Sequence, residues 1–142
     1  SFRIDPLQLA DGVDLAAAAL AWAEPLFAAG PVLVYATAEP DAVRKAQARL
    51  GVQRAGELVE QCLARIARGP IERGVRRLVV AGGETSGAVV NALGVRALQI
   101  GPQIDPGVPW TASTGEPRLA LALKSGNFGT VDFFDKALAM QS

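Results

Sequence analysis

Hydrophobic positions along the chain follow two alternating patterns. Short, continuous apolar runs are typical of buried parallel strands and predict strands at 32–36, 78–81, 97–100 and 119–123. Apolar positions three or four residues apart predict helices at 14–28, 40–50, 58–68, 88–93 and from 132 onward. This alternation indicates an α/β fold with a mostly parallel sheet, although the loop-rich stretch 101–117 leaves room for an antiparallel excursion.

Capping and helix-breaking residues set the expected helix ends. Asp14 can cap the first predicted helix, and Pro25 is expected to kink it or to end its first half. Pro40 and Gly51 should begin and end the second helix. Gly69-Pro70 should end the third.

The most distinctive junction follows the strand at 78–81 and reads Gly82-Gly83-Glu84-Thr85-Ser86-Gly87. A strand, a glycine loop and a helix N-terminus leave unpaired N–H groups at the positive end of the helix dipole, which favours binding of an anion such as phosphate. Thr85 and Ser86 add hydroxyl donors without adding charge. The loop lacks both the lysine of a P-loop and the second glycine of the dinucleotide fingerprint. A plain tight turn therefore remains the alternative from these residues alone.

A second glycine loop follows the strand at 119–123 and reads Lys124-Ser125-Gly126-Asn127-Phe128-Gly129. Because ligands in open α/β sheets lie beyond the carboxyl ends of the strands, we expect both loops at one edge of the sheet. Lys124 could supply there the cation that the first loop lacks. The alternative is an ordinary solvated lysine at a strand end.

Further motifs accompany the two loops in order: Ile100-Gly101-Pro102, Pro106-Gly107-Val108-Pro109-Trp110 and Asp132-Phe133-Phe134. Together these segments resemble the C-terminal nucleotide-binding domain of the four-carbon acid sugar kinases. The resemblance is strong over 78–138, and before it only the general helix–strand pattern agrees. It implies a three-layer αβα, Rossmann-like domain that binds ATP with Mg²⁺.

The resemblance also implies an activity, which is ATP-dependent phosphorylation of a terminal hydroxyl of threonate, erythronate or 3-oxo-tetronate. Phosphoryl transfer depends on positioning and charge neutralisation rather than on a protein nucleophile. We expect the N–H groups of residues 83–86 to hold phosphate oxygens, Lys124 to add a cation, and Glu84 to act through Mg²⁺ or its water shell. The full set of expected nucleotide-binding residues is Gly82, Gly83, Glu84, Thr85, Ser86, Gly87, Lys124, Ser125, Gly126 and Asn127. No catalytic base and no protein metal site is assigned.

In the sugar kinase family a separate N-terminal domain binds the sugar acid and carries an Asp-Asp-x-Thr-Gly motif. Neither this motif nor the Ser-Gly-Ser turn that usually opens the C-terminal domain occurs here. We therefore expect residues 1–142 to be a single C-terminal domain without its first strand, and to be inactive on its own. Two alternatives are a non-catalytic nucleotide- or phosphate-binding module and a Hrp-dependent type III effector, a label that some family members carry.

Composition narrows the classes of function. The 14 basic and 14 acidic residues balance, so no net charge recruits nucleic acid or an anionic membrane. The absence of histidine and the single cysteine argue against a zinc site, an internal disulfide and a serine hydrolase. No apolar run approaches the roughly 20 residues that span a bilayer and no signal peptide is visible, so a cytoplasmic location is expected. The oligomeric state is left open, and a homo-oligomer is compatible with the sequence.

Four other features have structural interpretations. Cys62 is expected to pack on the apolar face of its helix, and Trp110 to pack a turn rather than to stack on a base. Asp105 is interpreted as a turn residue. A basic cluster is interpreted as a solvated helix face and helix C-terminus, and comprises Arg65, Arg68, Arg73, Arg76 and Arg77.

Overall fold

A computed structural model describes residues 1–140. Two compact units divide the chain, the first covering Ser1–Pro70 and the second beginning at Ile71. Within the described residues, no helix combines the length and the apolar character needed to cross a membrane.

The first unit is mainly helical. Its elements are β1 (Phe2–Arg3), α1 (Pro6–Ala10), α2 (Leu15–Ala23), a short 3₁₀ turn (Glu24–Leu26), β2 (Val34–Tyr35), α3 (Pro40–Leu50) and all but the last two residues of α4 (Val52–Glu72). The two short strands pair in parallel as a separate two-stranded sheet. Its core contains Ile4 and Leu15 together with Cys62 and Ile66 of α4.

Most helix ends of this unit follow the sequence signals. The Asp14 carboxylate caps α2 by accepting a hydrogen bond from the N–H of Ala17 at 3.0 Å, and Pro25 lies in the 3₁₀ turn that ends this helix. The bounds of α3 are those predicted. The predicted end of α4 at Gly69-Pro70 is wrong, because α4 continues to Glu72. Gly69 serves close packing instead, since a Cβ there would overlap a methyl carbon of Leu20.

The second unit is a mixed sheet with two helices. Its elements are β3 (Arg77–Ala81), α5 (Gly83–Ala92), β4 (Leu98–Asp105), β5 (Val108–Ser113), β6 (Ala120–Lys124) and α6 (Phe133–Ala139). The strand order is β3-β6-β5-β4, with β3 parallel to β6 and β5 antiparallel to both of its neighbours.

The α/β class is confirmed, but the mostly parallel, Rossmann-like sheet is not. Pro106 and Gly107 join β4 directly to β5, and a two-residue connection can join only antiparallel strands. Gly107 has a φ of 81°, which suits glycine in such a turn. The antiparallel excursion within 101–117 is thereby confirmed, and the three-layer arrangement stays a prediction.

Strand β6 lies at the centre of the second unit and is buried on both faces. Ala122 packs with Trp110 and Phe133 on one face, whereas Leu121 packs with Ile71 and Leu119 on the other. Since successive side chains of a strand point to opposite faces, a continuous apolar run is what such a strand requires. Lys124 therefore ends a strand in the interior of the sheet.

Helix α6 buries one narrow face. Phe133 and Ala137 are buried, but Phe134 and Leu138 are each 40% exposed. Residues four apart in a helix share a face, so only the 133/137 pair can point at the sheet from this short helix.

Candidate functional site

The carboxyl ends of β3 and β6 lie side by side, as the two glycine loops predicted. Ala81 is the register partner of Lys124, and the N–H of Gly82 donates a hydrogen bond of 2.7 Å to the carbonyl of Lys124. A Cβ on Gly83 would lie 3.8 Å from the Cβ of Ser125. The two loops are therefore in contact at one edge of the sheet.

Helix α5 begins directly at the first glycine loop. Gly82 is its N-cap with a φ of 111°, and Gly83 is its first helical residue. The N–H groups of residues 83–85 have no acceptor within the helix, because they belong to its first turn. The expectation that the N–H of Ser86 also binds phosphate is wrong, since it donates to the carbonyl of Gly82 at 2.8 Å.

The polar side chains of this first turn occupy different environments. Glu84 is exposed and Thr85 is half-buried. Ser86 is only 9% exposed, and within residues 1–140 its hydroxyl has no hydrogen-bond partner. A buried polar group without a partner costs about 1–3 kcal/mol, so a ligand that bonds to this hydroxyl would recover that cost. Gly87 lies in the second turn and is exposed.

The second loop contacts the Lys124 side chain at two positions, Gly126 and Gly129. The ammonium of Lys124 donates to the carbonyl of Gly126 at 2.7 Å, and Gly126 has a φ of 38°. A Cβ on Gly129 would lie 3.1 Å from Cε of Lys124, so glycine at 129 lets the loop lie against the lysine stem. An ammonium group has three N–H donors, and the remaining two are available to an anion. Ser125 and Asn127 are exposed beside it.

Asp105 is a buried carboxylate that the sequence did not single out for a site. It is the last residue of β4 rather than a turn residue, and it is only 5% exposed. Its Oδ2 accepts hydrogen bonds from the N–H and the hydroxyl of Thr130, each at 2.9 Å, and its Oδ1 accepts one from Lys136 at 2.9 Å. The N–H of Thr130 and the Lys136 ammonium lower the pKa of Asp105 to about 2. Asp105 and Thr130 are 25 residues apart, so no local pattern could have joined them.

Asp132 completes this charged cluster. Its carboxylate lies 3.2 Å from the Lys136 ammonium and also contacts the Thr130 hydroxyl. The two carboxylates, Asp105 first and Asp132 second, raise the pKa of Lys136. All these charges are ionised near neutral pH, and they fasten the start of α6 to the end of β4.

Trp110 belongs to the core and not to a base-stacking surface. It lies in β5, is 4% exposed, and donates from its indole N–H to the carbonyl of Ala137 at 3.1 Å. The guanidinium of Arg77 lies 4.9 Å from the Trp110 ring centroid and donates to the carbonyl of Met140 at 2.6 Å. The preferred packing role for Trp110 is confirmed, although it packs from a strand and not from a turn.

The solvated interpretation of the basic cluster agrees with the exposure of Arg65, Arg68, Arg73 and Arg76, but Arg77 departs from it. Arg77 is half-buried and donates to the carbonyls at the end of α6, whereas the exposed Arg65 pairs with Asp14 at 2.8 Å.

Cys62 is buried, and burial raises the pKa of its thiol, which confirms the packing role. Across residues 1–140 no three acidic, histidine or cysteine side chains cluster as a metal site would require.

Comparison with known proteins places this chain in a family. A family of sequences described as the nucleotide-binding C-terminal domain matches residues 1–134. The chain belongs to this family. The predicted resemblance is confirmed, and the match includes the residues before 78, where only the general helix–strand pattern agreed.

Two curated relatives illustrate the similarity. The 3-oxo-tetronate kinase of Cupriavidus necator is 65% identical over 141 residues, and that of Burkholderia multivorans is 64% identical over 138 residues. Each alignment covers 97% of this chain but 32% of the relative. The chain thus spans about a third of the length of these relatives.

A solved structure shares the fold. The crystal structure of a Haemophilus influenzae protein superposes with a TM-score of 0.87 at 38% sequence identity. The superposition covers 98% of this chain and 34% of that protein.

Proposed function

We propose that this nucleotide-binding C-terminal domain binds ATP within a longer kinase, which phosphorylates a terminal hydroxyl of a four-carbon sugar acid. Among threonate, erythronate and 3-oxo-tetronate, the names of the relatives favour 3-oxo-tetronate. The observation that carries the proposal is the joined edge of β3 and β6, where the N–H of Gly82 bonds to the carbonyl of Lys124. This bond brings a helix N-terminus and a lysine to one place.

The phosphates of ATP would be held by two kinds of donor. The free N–H groups of residues 83–85 and the dipole of the ten-residue α5 favour an anion at the helix start. The Lys124 ammonium adds a charge-assisted contact from the neighbouring strand. The buried Ser86 hydroxyl and the exposed loop residues Ser125, Gly126 and Asn127 complete the set of candidate ligands.

Mg²⁺ fits this arrangement as a partner of the nucleotide. Mg²⁺ is commonly held by one or two carboxylates together with substrate phosphates, and Glu84 is the acidic residue in the first turn of α5. When bound with ATP, the ion would neutralise charge on the phosphate oxygens. Glu84 would hold the ion or its water shell, while Lys124 and the helix N–H groups orient the phosphates.

The sugar acid would bind to the part of the longer protein outside this chain. Phosphoryl transfer requires the donor and acceptor to be fixed together, and a well-oriented pair is worth about 7–11 kcal/mol of the barrier. We therefore expect the isolated domain to be inactive towards sugar acids. The proposal also includes a cytoplasmic location for the full-length enzyme.

An ATP titration of the full-length protein tests the binding step. At about 100 times the dissociation constant, ATP should stabilise the folded state by about 2.7 kcal/mol and raise the melting temperature measurably. Adenosine is the matched control, because it keeps the base and ribose but lacks the phosphates that these residues contact. Calorimetry that detects no ATP binding, together with an unchanged melting temperature, would contradict the proposal.

A further inference from the structure

The loop after β6 is fastened to the β4–β5 hairpin at two points. Thr130, at the end of the loop, donates its N–H and its hydroxyl to Asp105. Phe128, in the middle of the loop, lies against the hairpin turn, where a Cβ on Gly107 would come within 2.9 Å of the Phe128 ring. The position of this loop therefore depends on the hairpin as well as on its own strand.

The start of the loop carries the Lys124 ammonium, and its end is held by Asp105. Between them, Gly129 lies against the Lys124 stem, and the N–H of Phe128 donates to the carbonyl of Ser125 at 3.2 Å. If Thr130 were released from Asp105, Gly129 could move away from Cε of Lys124, and the position of the ammonium would be less restricted. Because the loop is short, a displacement of Thr130 at its end would also displace the residues near Lys124 at its start.

We propose that Asp105 is a positioning residue for the nucleotide site. It holds the loop 125–130 through Thr130, so that Lys124 and Gly126 face the phosphates. The inference rests on the proposed function, because it takes the ligand of this loop to be the phosphates of ATP. Asp105 itself contacts the loop and Lys136, and it acts on the ligand only through them.

The donor set explains why an acidic residue is required at this position. The carboxylate satisfies one backbone N–H, one hydroxyl and one ammonium at the same time. An amide of the same shape has one acceptor oxygen and a donor NH₂ group, so it can accept from Thr130 or from Lys136 but not from both. Asp105→Asn therefore removes the charge and one acceptor from the loop anchor while it preserves side-chain volume.

The matched control is Ser113→Ala. Ser113 is the last residue of β5 and lies at the end of that strand away from the β4–β5 turn. Ser113 is 2% exposed, and its hydroxyl accepts a hydrogen bond from the N–H of Leu119 at 2.8 Å. It resembles Asp105 in being a buried acceptor for a backbone N–H in the same sheet, but it does not contact the loop. Both variants should lower the melting temperature of the full-length protein.

Two readouts on the full-length protein separate positioning from stability. For Asp105→Asn we expect faster backbone hydrogen exchange at residues 125–130. We also expect the affinity for ATP to fall by at least about tenfold, which corresponds to the loss of one charge-assisted contact to phosphate. Ser113→Ala should leave both unchanged. Equal exchange at 125–130 in the wild type and Asp105→Asn would overturn the inference, as would equal ATP affinity.

Thr130→Val is a milder second variant that keeps the test decisive if Asp105→Asn folds poorly. It removes the hydroxyl but leaves the backbone N–H that bonds to Asp105, so ATP affinity should fall by less than in Asp105→Asn and exchange at 125–130 should rise. Unchanged affinity and exchange in Thr130→Val would count against the inference. If the wild type itself binds no ATP, the proposed function fails, whereas the exchange comparison still tests the anchor separately.

Discussion

Lys124 is the residue on which the binding proposal depends most directly. Its ammonium bonds to the Gly126 carbonyl at the loop, and its side chain is only half-buried, so it contributes little to the core. We expect Lys124→Ala to fold normally but to lose a contact of about 1.5–3 kcal/mol to bound phosphate. In the full-length enzyme, kcat/KM for ATP should fall by at least about tenfold, since 1.36 kcal/mol in the barrier corresponds to tenfold.

The control for this variant is Lys45→Ala, which removes the same charge from the exposed face of α3. Its kcat/KM for ATP should match that of the wild type. Equal kinetics of Lys124→Ala and Lys45→Ala at sub-saturating ATP would make Lys124 an ordinary solvated lysine.

At the residue scale, the sequence predicted the local parts of the site and missed the distant ones. The glycine loops and Lys124 follow directly from the order of strand, loop and helix. Asp105 and Thr130 could not be joined, because their contact depends on how the β4–β5 hairpin lies against the second loop. The predicted set of phosphate-binding N–H groups was one residue too long. Helix α5 begins at Gly83, and its first hydrogen bond already uses the N–H of Ser86.

At the scale of elements, the start of α5 can be tested by two glycine substitutions within one segment. Gly82 has a φ of 111°, and a Cβ there would lie 3.2 Å from the Thr85 hydroxyl. Gly82→Ala should therefore lower the free energy of unfolding by about 1–3 kcal/mol, the usual cost of a strained backbone position. Gly87→Ala is the control, because Gly87 lies within the helix and a Cβ there meets no atom within 4 Å. It should raise the free energy of unfolding by about 0.5–1 kcal/mol.

Chemical denaturation of both variants measures these changes. Similar stability of Gly82→Ala and the wild type would show that α5 does not need glycine at its N-cap. The positive φ at Gly82 also allows its N–H to reach the Lys124 carbonyl, so a tolerant position would weaken the account of how the two loops are joined.

Helices were predicted more accurately than the pairing of strands. Each predicted helix has a counterpart in the structure, since caps and apolar spacing are local signals. Strand pairing is not local: β4 was expected to end near Ile100, but it runs to Asp105 and turns back as β5. The stretch 101–117 is rich in loop residues, although the apolar positions Val108 and Trp110 alternate as they do in a strand.

At the scale of the whole molecule, the residues proposed above would provide donors for phosphate, and none of them is assigned as the base for a sugar hydroxyl. The site residues described above are amides, hydroxyls and one lysine, with Glu84 as the acidic residue in the first turn of α5. In our proposal they bind and orient a nucleotide, in keeping with the description of the family as a nucleotide-binding domain. Our proposal therefore assigns acceptor activation to the part of a longer protein outside this chain, since the relatives are about three times as long as the chain.

The most direct test of the central claim is an ADP-release assay with 3-oxo-tetronate, run in parallel on residues 1–142 and on the full-length protein. Threonate and erythronate serve as comparison acids, and phosphorylated product is identified by mass. The account predicts ATP-dependent phosphorylation by the full-length protein and none by the isolated chain, because only the longer protein fixes donor and acceptor together. Phosphorylation of any of these acids by residues 1–142 alone, or ATP binding by the full-length protein without turnover of any acid, would contradict it.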